Sequence, residues 1–183
     1  ALAGVNTITN NFSGFNSTTF TGGSTVPDIQ NLSGTNKIAD DLTVTGTGGN
    51  GVSAQSDAGA LELAGTISTK LASRGVELNG AGNGLVSGSI ADGAGGLVFT
   101  VTKDGTGTWT FSGANPYTGA TTISAGTLLV NGSTGSGNVS VAAGATLGGN
   151  GTGNGTGTVS GAIAPRGNGV VTLNTAGETW NSG

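Results

Sequence analysis

Residues 103–132 read KDGTGTWTFSGANPYTGATTISAGTLLVNG, and the spacing inside this stretch is taken up again further along the chain. Thr122-Ile123-Ser124 is followed by Ser140-Val141-Ala142 and then by Thr158-Val159-Ser160, each 18 residues on. The same offset maps Gly126 onto Gly144 and Leu129 onto Leu147. Self-similarity at about 20 residues marks a stacked architecture, in which each unit buries its apolar face only against its neighbours. Ile123, Val141 and Val159 are therefore predicted to pile into one row inside a solenoid.

Outward from this stretch, short alternating runs read as strands: 43–47, 61–63, 76–78, 97–102, 108–111, 121–123, 127–130, 139–141, 158–163 and 170–173. Asn-Gly pairs beginning at Asn50, Asn79, Asn83, Asn131, Asn150, Asn154 and Asn168 lie between them and suit tight corners. Alone such pairs would suggest hairpins; the fixed offset argues instead for strands stacked in parallel. Leu63-Ala64-Gly65-Thr66-Ile67 aligns with Val86-Ser87-Gly88-Ser89-Ile90 at an offset of 23, and Val159-Ser160-Gly161-Ala162-Ile163 reads as a further copy. The expectation is one all-β domain over 1–183, a parallel β-helix of about nine coils of 18–23 residues, about 40 Å long at a rung spacing of about 4.8 Å. Aliphatic residues should face inward, and Thr, Ser and Asn should face water. Short helical turns at 54–60 and 68–73 lack length and an apolar stripe. Residues 1–20, with Phe12, Phe15 and Phe20, read either as a cap on the first coil or as a strand that docks on another copy.

Composition points the same way. Glycine supplies 39 of 183 residues and charged residues 8%, against about 7% and about 25% in ordinary domains, so this is not a usual enzyme surface. Disorder would give a similar glycine content, but the hydrophobic fraction of 34% and a mean hydropathy of +0.07 oppose it.

The residues from Asp104 to Gly132 resemble the autotransporter-associated β-strand repeat, the passenger-associated repeat of bacterial secreted surface proteins. Gly105, Gly107 and Thr108 open the motif, and Gly113, Asn115, Tyr117, Thr118 and Gly119 form its centre. Thr122, Ile123, Gly126, Thr127 and Leu128 close it. Trp109 and Phe111 stand where leucines are usual, and Pro116 replaces a threonine. The clearest repeat region spans 84–173. The resemblance implies a right-handed β-helix exported to the cell surface or beyond, and it brings no catalytic residues with it.

No catalytic, metal or cofactor site is predicted. Histidine and cysteine are absent, which removes the usual bases and thiol nucleophiles. The acids are scattered, and the adjacent pair Asp40-Asp41 would point to opposite faces of a strand. The glycine runs lack the aspartates of a calcium nonapeptide and are followed by no Gly-Lys-Ser/Thr. The basic residues Lys37, Lys70, Arg74, Lys103 and Arg166 are dispersed in a chain of pI about 4.3, so nucleic acid is not an expected partner. No run of 18 apolar residues exists, so no helical membrane insertion is expected. A start at Ala1 without methionine fits a processed secretion signal or a fragment of a longer protein.

Two functions remain in view. One is an extracellular structural module, a passenger stalk or a fibre subunit that self-associates into a filament, because terminal coils expose unpaired backbone groups and the chain carries little charge. The other is a carbohydrate-binding adhesin, with the rings of Tyr117 and Trp180 stacking on surface glycans, although Tyr117 reads equally as part of the repeat's own loop. Thr-x-Thr pairs are too unevenly spaced for a flat ice-binding plane, and Trp109 and Phe111 read as core.

Overall fold

The computed structural model describes residues 27–45 and 51–165, together with the strand backbone at 6–7, 18–20 and 172–173. In chain order the strands are β1 (Asn6–Thr7), β2 (Thr18–Phe20), β3 (Ile29–Asn31), β4 (Thr35–Ile38), β5 (Leu42–Val44), β6 (Gly51–Ser56) and β7 (Ala60–Leu63). There follow β8 (Ile67–Thr69), β9 (Arg74–Asn79), β10 (Asn83–Val86), β11 (Phe99–Lys103), β12 (Thr108–Phe111), β13 (Thr121–Ile123) and β14 (Thr127–Val130). The last are β15 (Val139–Val141), β16 (Thr146–Gly149), β17 (Thr152–Gly153), β18 (Gly157–Val159), β19 (Ala162–Pro165) and β20 (Thr172–Leu173). No helix occurs among the described residues.

Strands that neighbour one another in a sheet are never successive in the chain, and every strand pair is parallel, which defines a β-solenoid. The first sheet runs β1-β3-β6-β9-β11-β13-β15-β18 and the second β4-β7-β10-β12-β14-β16-β19. A third, β2-β5-β8, covers only the early coils, and β17 pairs with β20 further on. The longest sheet has eight strands, fewer than the nine coils predicted. The reason is that the early coils are longer than the downstream offset suggested. Ile29 pairs with Ala54, Ala54 with Leu78 and Leu78 with Lys103, steps of 25, 24 and 25 residues. Lys103 then pairs with Ile123, Ile123 with Val141 and Val141 with Val159, steps of 20, 18 and 18.

The difference lies in the return path from the second sheet to the first. The early coils place β5, β8 or the bridging Ile90 there as a third wall, whereas the later coils return through a shorter loop. The outgoing corner, from first sheet to second, hardly changes, and it turns on a positive-φ glycine in every coil from Gly34 to Gly144.

Side chains alternate across each strand, as the pleat requires. In the first sheet Val52, Val76, Val101, Thr121 and Val139 form one inward row. In the second sheet Ile38, Leu63, Val86, Phe111 and Val130 form another. Each fully buried aliphatic side chain contributes about 1.5–3 kcal/mol of transfer free energy.

Several sequence expectations need correction. Residues 158–163 are not one strand: β18 lies in the first sheet and β19 in the second, with a corner at Ser160-Gly161. Val159 accordingly stacks on Val141 and not in the row of Leu63 and Val86. Leu147 sits on Leu128, and Leu129 on Gly148, because the second-sheet offset is 19 and not 18. Residues 54–60 and 68–73, weighed as helical turns, hold strands β6 to β8 and their corners. The backbone at 6–7 and 18–20 extends the first and third sheets, while the phenylalanine side chains of the first 20 residues lie outside the described residues.

Candidate functional site

The repeat motif is where the coil changes width. Gly105, at φ 70°, turns the corner after β11, and Thr108 opens β12 opposite Thr127. Gly84 of β10 lies opposite Trp109, and a Cβ there would fall within 3.0 Å of the indole ring. The absence of a side chain on one coil thus admits the largest side chain on the next. The indole Nε1–H donates to the Asn79 carbonyl at 3.1 Å. Trp109 and Phe111 are fully buried, as core residues should be.

Gly113 belongs to a ladder. A Cβ on Gly88, Gly113, Gly132 or Gly151 would fall within 3.0 Å of the carbonyl oxygen of Gly65, Gly88, Gly113 and Gly132 respectively. At this corner the backbones of successive coils approach too closely for any side chain. Gly107 and Gly119 face the Gly82 and Phe99 carbonyls in the same way.

Asn115 connects three coils. Its Oδ1 accepts the Ile90 N–H at 2.9 Å from the coil before. Its Nδ2 donates to Gly113 at 3.1 Å and to the Ser133 carbonyl of the coil after at 2.6 Å. The carboxamide thereby satisfies backbone groups that the third sheet satisfied earlier. Asn154 does similar work two coils later, donating from Nδ2 to the Thr134 carbonyl of the coil before it at 3.0 Å.

Tyr117 is fully buried, with its hydroxyl 2.6 Å from that of Thr121. Burial pushes its pKa up, against hydrogen bonds with Thr121 and Gly135. The ring is therefore unavailable to stack on a sugar, which corrects the adhesin expectation for this residue; Trp180 lies outside the described residues. Thr122 faces outward between Thr102 and Ser140, and Ile123 inward between Lys103 and Val141. Val159 follows Val141 in that row and is partly buried. Gly126, at φ 64°, turns the next corner, and Leu128 is buried between Trp109 and Leu147.

Polar groups are not all outside. Asn31, Asn36, Ser56, Thr69, Asn115, Thr121 and Thr134 are buried, each tied to backbone or to another side chain, as burial of a polar group demands. Within the early coils Asn36 Nδ2 donates to Asn31 Oδ1 at 2.6 Å, and Asn31 Nδ2 to the Ala58 carbonyl at 3.1 Å.

Lys103 is the buried polar residue that sequence reading missed. It appeared as one of several scattered basic residues, yet it is fully buried in the row between Leu78 and Ile123. Burial lowers its pKa to about 8, partly opposed by the Asp104 carboxylate. Its position at an inward-facing site of β11, alternating with Phe99 and Val101, was the signal available in the sequence.

The carboxylates serve corners. Asp92 accepts the Phe99 N–H at 2.8 Å and the Thr118 hydroxyl at 2.6 Å, and Asp104 accepts the Gly105 N–H at 2.8 Å. Among the described residues no group of three or more acids could hold a metal ion. No helix there is long and apolar enough to cross a membrane.

A parallel solenoid whose joint is built from glycine, asparagine and buried aromatics defines the structural class. The passenger-associated-transport-repeat family matches residues 101–130, so the chain carries this repeat at that joint. Comparisons with curated proteins and with solved structures give no match.

Proposed function

We propose that the chain is a non-catalytic structural module of an exported surface protein, a stalk-like segment that holds its shape outside the cell. The observation that carries this reading is the passenger-associated-transport-repeat at 101–130, built into a parallel solenoid. A solenoid is suited to the task because its stability is a sum over neighbouring coils, so length is gained without a larger core. Protease treatment of intact cells expressing the parent protein tests the location: this segment should be digested from outside, and full protection would overturn the reading.

The same module is proposed as a fibre subunit, because parallel sheets end in strand edges with free donors and acceptors that a second copy would satisfy. A specific observation favours this: no Asp, Glu, Lys, Arg or His occurs from 105 to 165, leaving little repulsion between copies along those coils. Negative-stain microscopy of the purified chain separates the two forms. Threads identify a self-assembling subunit, and isolated short rods a stalk. A neutral glycan bound on an array would replace both with the adhesin reading.

A further inference from the structure

Lys103 stands where Leu78 stands one coil earlier and Ile123 one coil later. A buried ammonium must find acceptors for three N–H bonds. The corner supplies three backbone carbonyls: Asp104 at 2.6 Å, Gly105 at 2.7 Å and Ala125 at 3.1 Å. Two belong to the corner of its own coil and the third to the corner of the next. The pair of corners turns on Gly105 and Gly126, and a Cβ on Gly126 would lie 2.9 Å from Nζ. The neighbouring strands present Leu78 from β9 and Ile123 from β13, both uncharged, and the carboxylate acting on Nζ is that of Asp104.

We propose that these three carbonyl oxygens replace only part of the hydration shell of the Lys103 ammonium, so that the joint between its 20-residue coil and the first 18-residue coil tightens as the buried amine loses its charge. Carbonyl oxygens arranged around a small cation are a familiar way of replacing its hydration shell, and here the cation is delivered on a covalent tether.

The sign of the pH dependence follows from linkage. The buried amine titrates at about 8, whereas an opened corner would return it to water, where lysine titrates near about 10.4. The open form then holds the proton more tightly, so opening is easiest below pH about 8. It becomes rarer as pH rises through the window between the two values, by up to about tenfold per pH unit.

Two amides report on this joint directly: the Ser124 N–H donates to the Lys103 carbonyl at 2.8 Å and the Thr127 N–H to Gly107 at 3.2 Å. One coil on, the Ala142 N–H donates to Ile123 and the Thr146 N–H to Gly126. Native-state hydrogen exchange, corrected for intrinsic chemistry, should show protection at Ser124 and Thr127 rising up to about tenfold between pH 8 and 9, with Ala142 and Thr146 unchanged. In Lys103→Met, which keeps most of the stem and removes the charge, the pH response should vanish; its persistence would overturn the proposal. NMR titration of the lysine side chain in the unaltered chain needs no variant to fold: a midpoint near 8 supports the proposal, and one at about 10.4 overturns it.

Discussion

Between Ile29 and Lys103 the chain takes 24 or 25 residues to return to the same row, and between Ile123 and Val159 it takes 18. The early coils have three walls, internal asparagines and charged outer faces, including the Lys37–Glu62 pair at 2.9 Å. The later coils have a shorter return loop and no charged residue from 105 to 165. Between them, Phe99, Trp109, Phe111 and Tyr117 are all fully buried, and they are all the aromatic residues whose side chains are described. The contrast teaches that coil width is set chiefly by the return segment. Where the third wall stops, large rings and a carboxamide network fill and tie the space that it occupied. The Lys103 ammonium, bonded to three carbonyls, sits at the same step.

The glycine ladder is common to both halves, so breaking it should have the largest effect. Gly113→Ala would drive a Cβ into the Gly88 carbonyl, backbone against backbone, with no flexible atom to give way. We expect a loss of about 4 kcal/mol or more, at the exceptional end for a single substitution. Gly95→Ala is the control, since nothing lies within 4 Å and only its φ of 74° opposes the change, about 1–2 kcal/mol. Denaturant melts followed by circular dichroism would compare the two. Similar losses would show that close coil approach is not what the ladder enforces.

Next in size is the exchange of volume between Gly84 and Trp109. Gly84→Ala should destabilise by about 1–3 kcal/mol through overpacking. Adding Trp109→Leu, which gives the site the same residue type as Leu61 before and Leu128 after it, should recover part of that loss. A double-mutant cycle with no coupling would separate the two positions and remove the reading of Gly84 as space for the indole. Of comparable size, Asn115→Ala leaves the Ile90 N–H and the Ser133 carbonyl without their side-chain partner. The expected loss is about 1–3 kcal/mol, with hydrogen exchange rising at Ile90 but not at Ile67, whose N–H is held by the Ser89 carbonyl.

How much of this was legible follows from where the periods are regular. The 18-residue offset of Ile123, Val141 and Val159 is visible because both steps are equal and the flanking residues are small. The step from Lys103 to Ile123 is neither wide nor narrow, and a lysine breaks the aliphatic row at that point, so the sequence gives no reason to continue the row upstream. The third wall was half hidden: the run read at 43–47 overlaps Leu42–Val44, whereas Ile67–Thr69 was not separated from the turns around it. The slip that placed Leu129 and not Leu128 under Leu147 came from carrying the first-sheet period into the second sheet. Tyr117 was misjudged because a ring in a glycine-rich loop looks exposed. Only the shortened return path, which folds that loop over the core, explains its burial.

The smallest predicted effect distinguishes the two halves by charge. Burial alone would raise the Asp92 pKa, but hydrogen bonds from the Thr118 side chain and from the Phe99 and Thr118 amides outweigh it and hold the carboxyl below its usual value. A carboxylate depressed in the folded state contributes stability above its unfolded pKa, near about 3.9, and that contribution is lost as pH falls through the depressed value. Hydrogen bonds from Ser87 and then Lys37 lower the Glu62 pKa in the same direction. At Asp28 burial raises it against the Ser53 amide, so protonation there relieves a penalty. The net change is expected to be on the order of 1 kcal/mol, as for other partly exposed groups. Its distribution is the sharper test: between pH 7 and 3, exchange should change within 27–104 and at Thr118, whose N–H lies 3.1 Å from Asp92. The amides of Ala142, Thr146 and Ser160 should not respond, because their coils contain nothing that titrates in that range. Asp92→Asn at pH 7 should reproduce the Thr118 change alone. A response spread evenly along the solenoid would mean that the coils are coupled too strongly for the wide and narrow halves to be separate units.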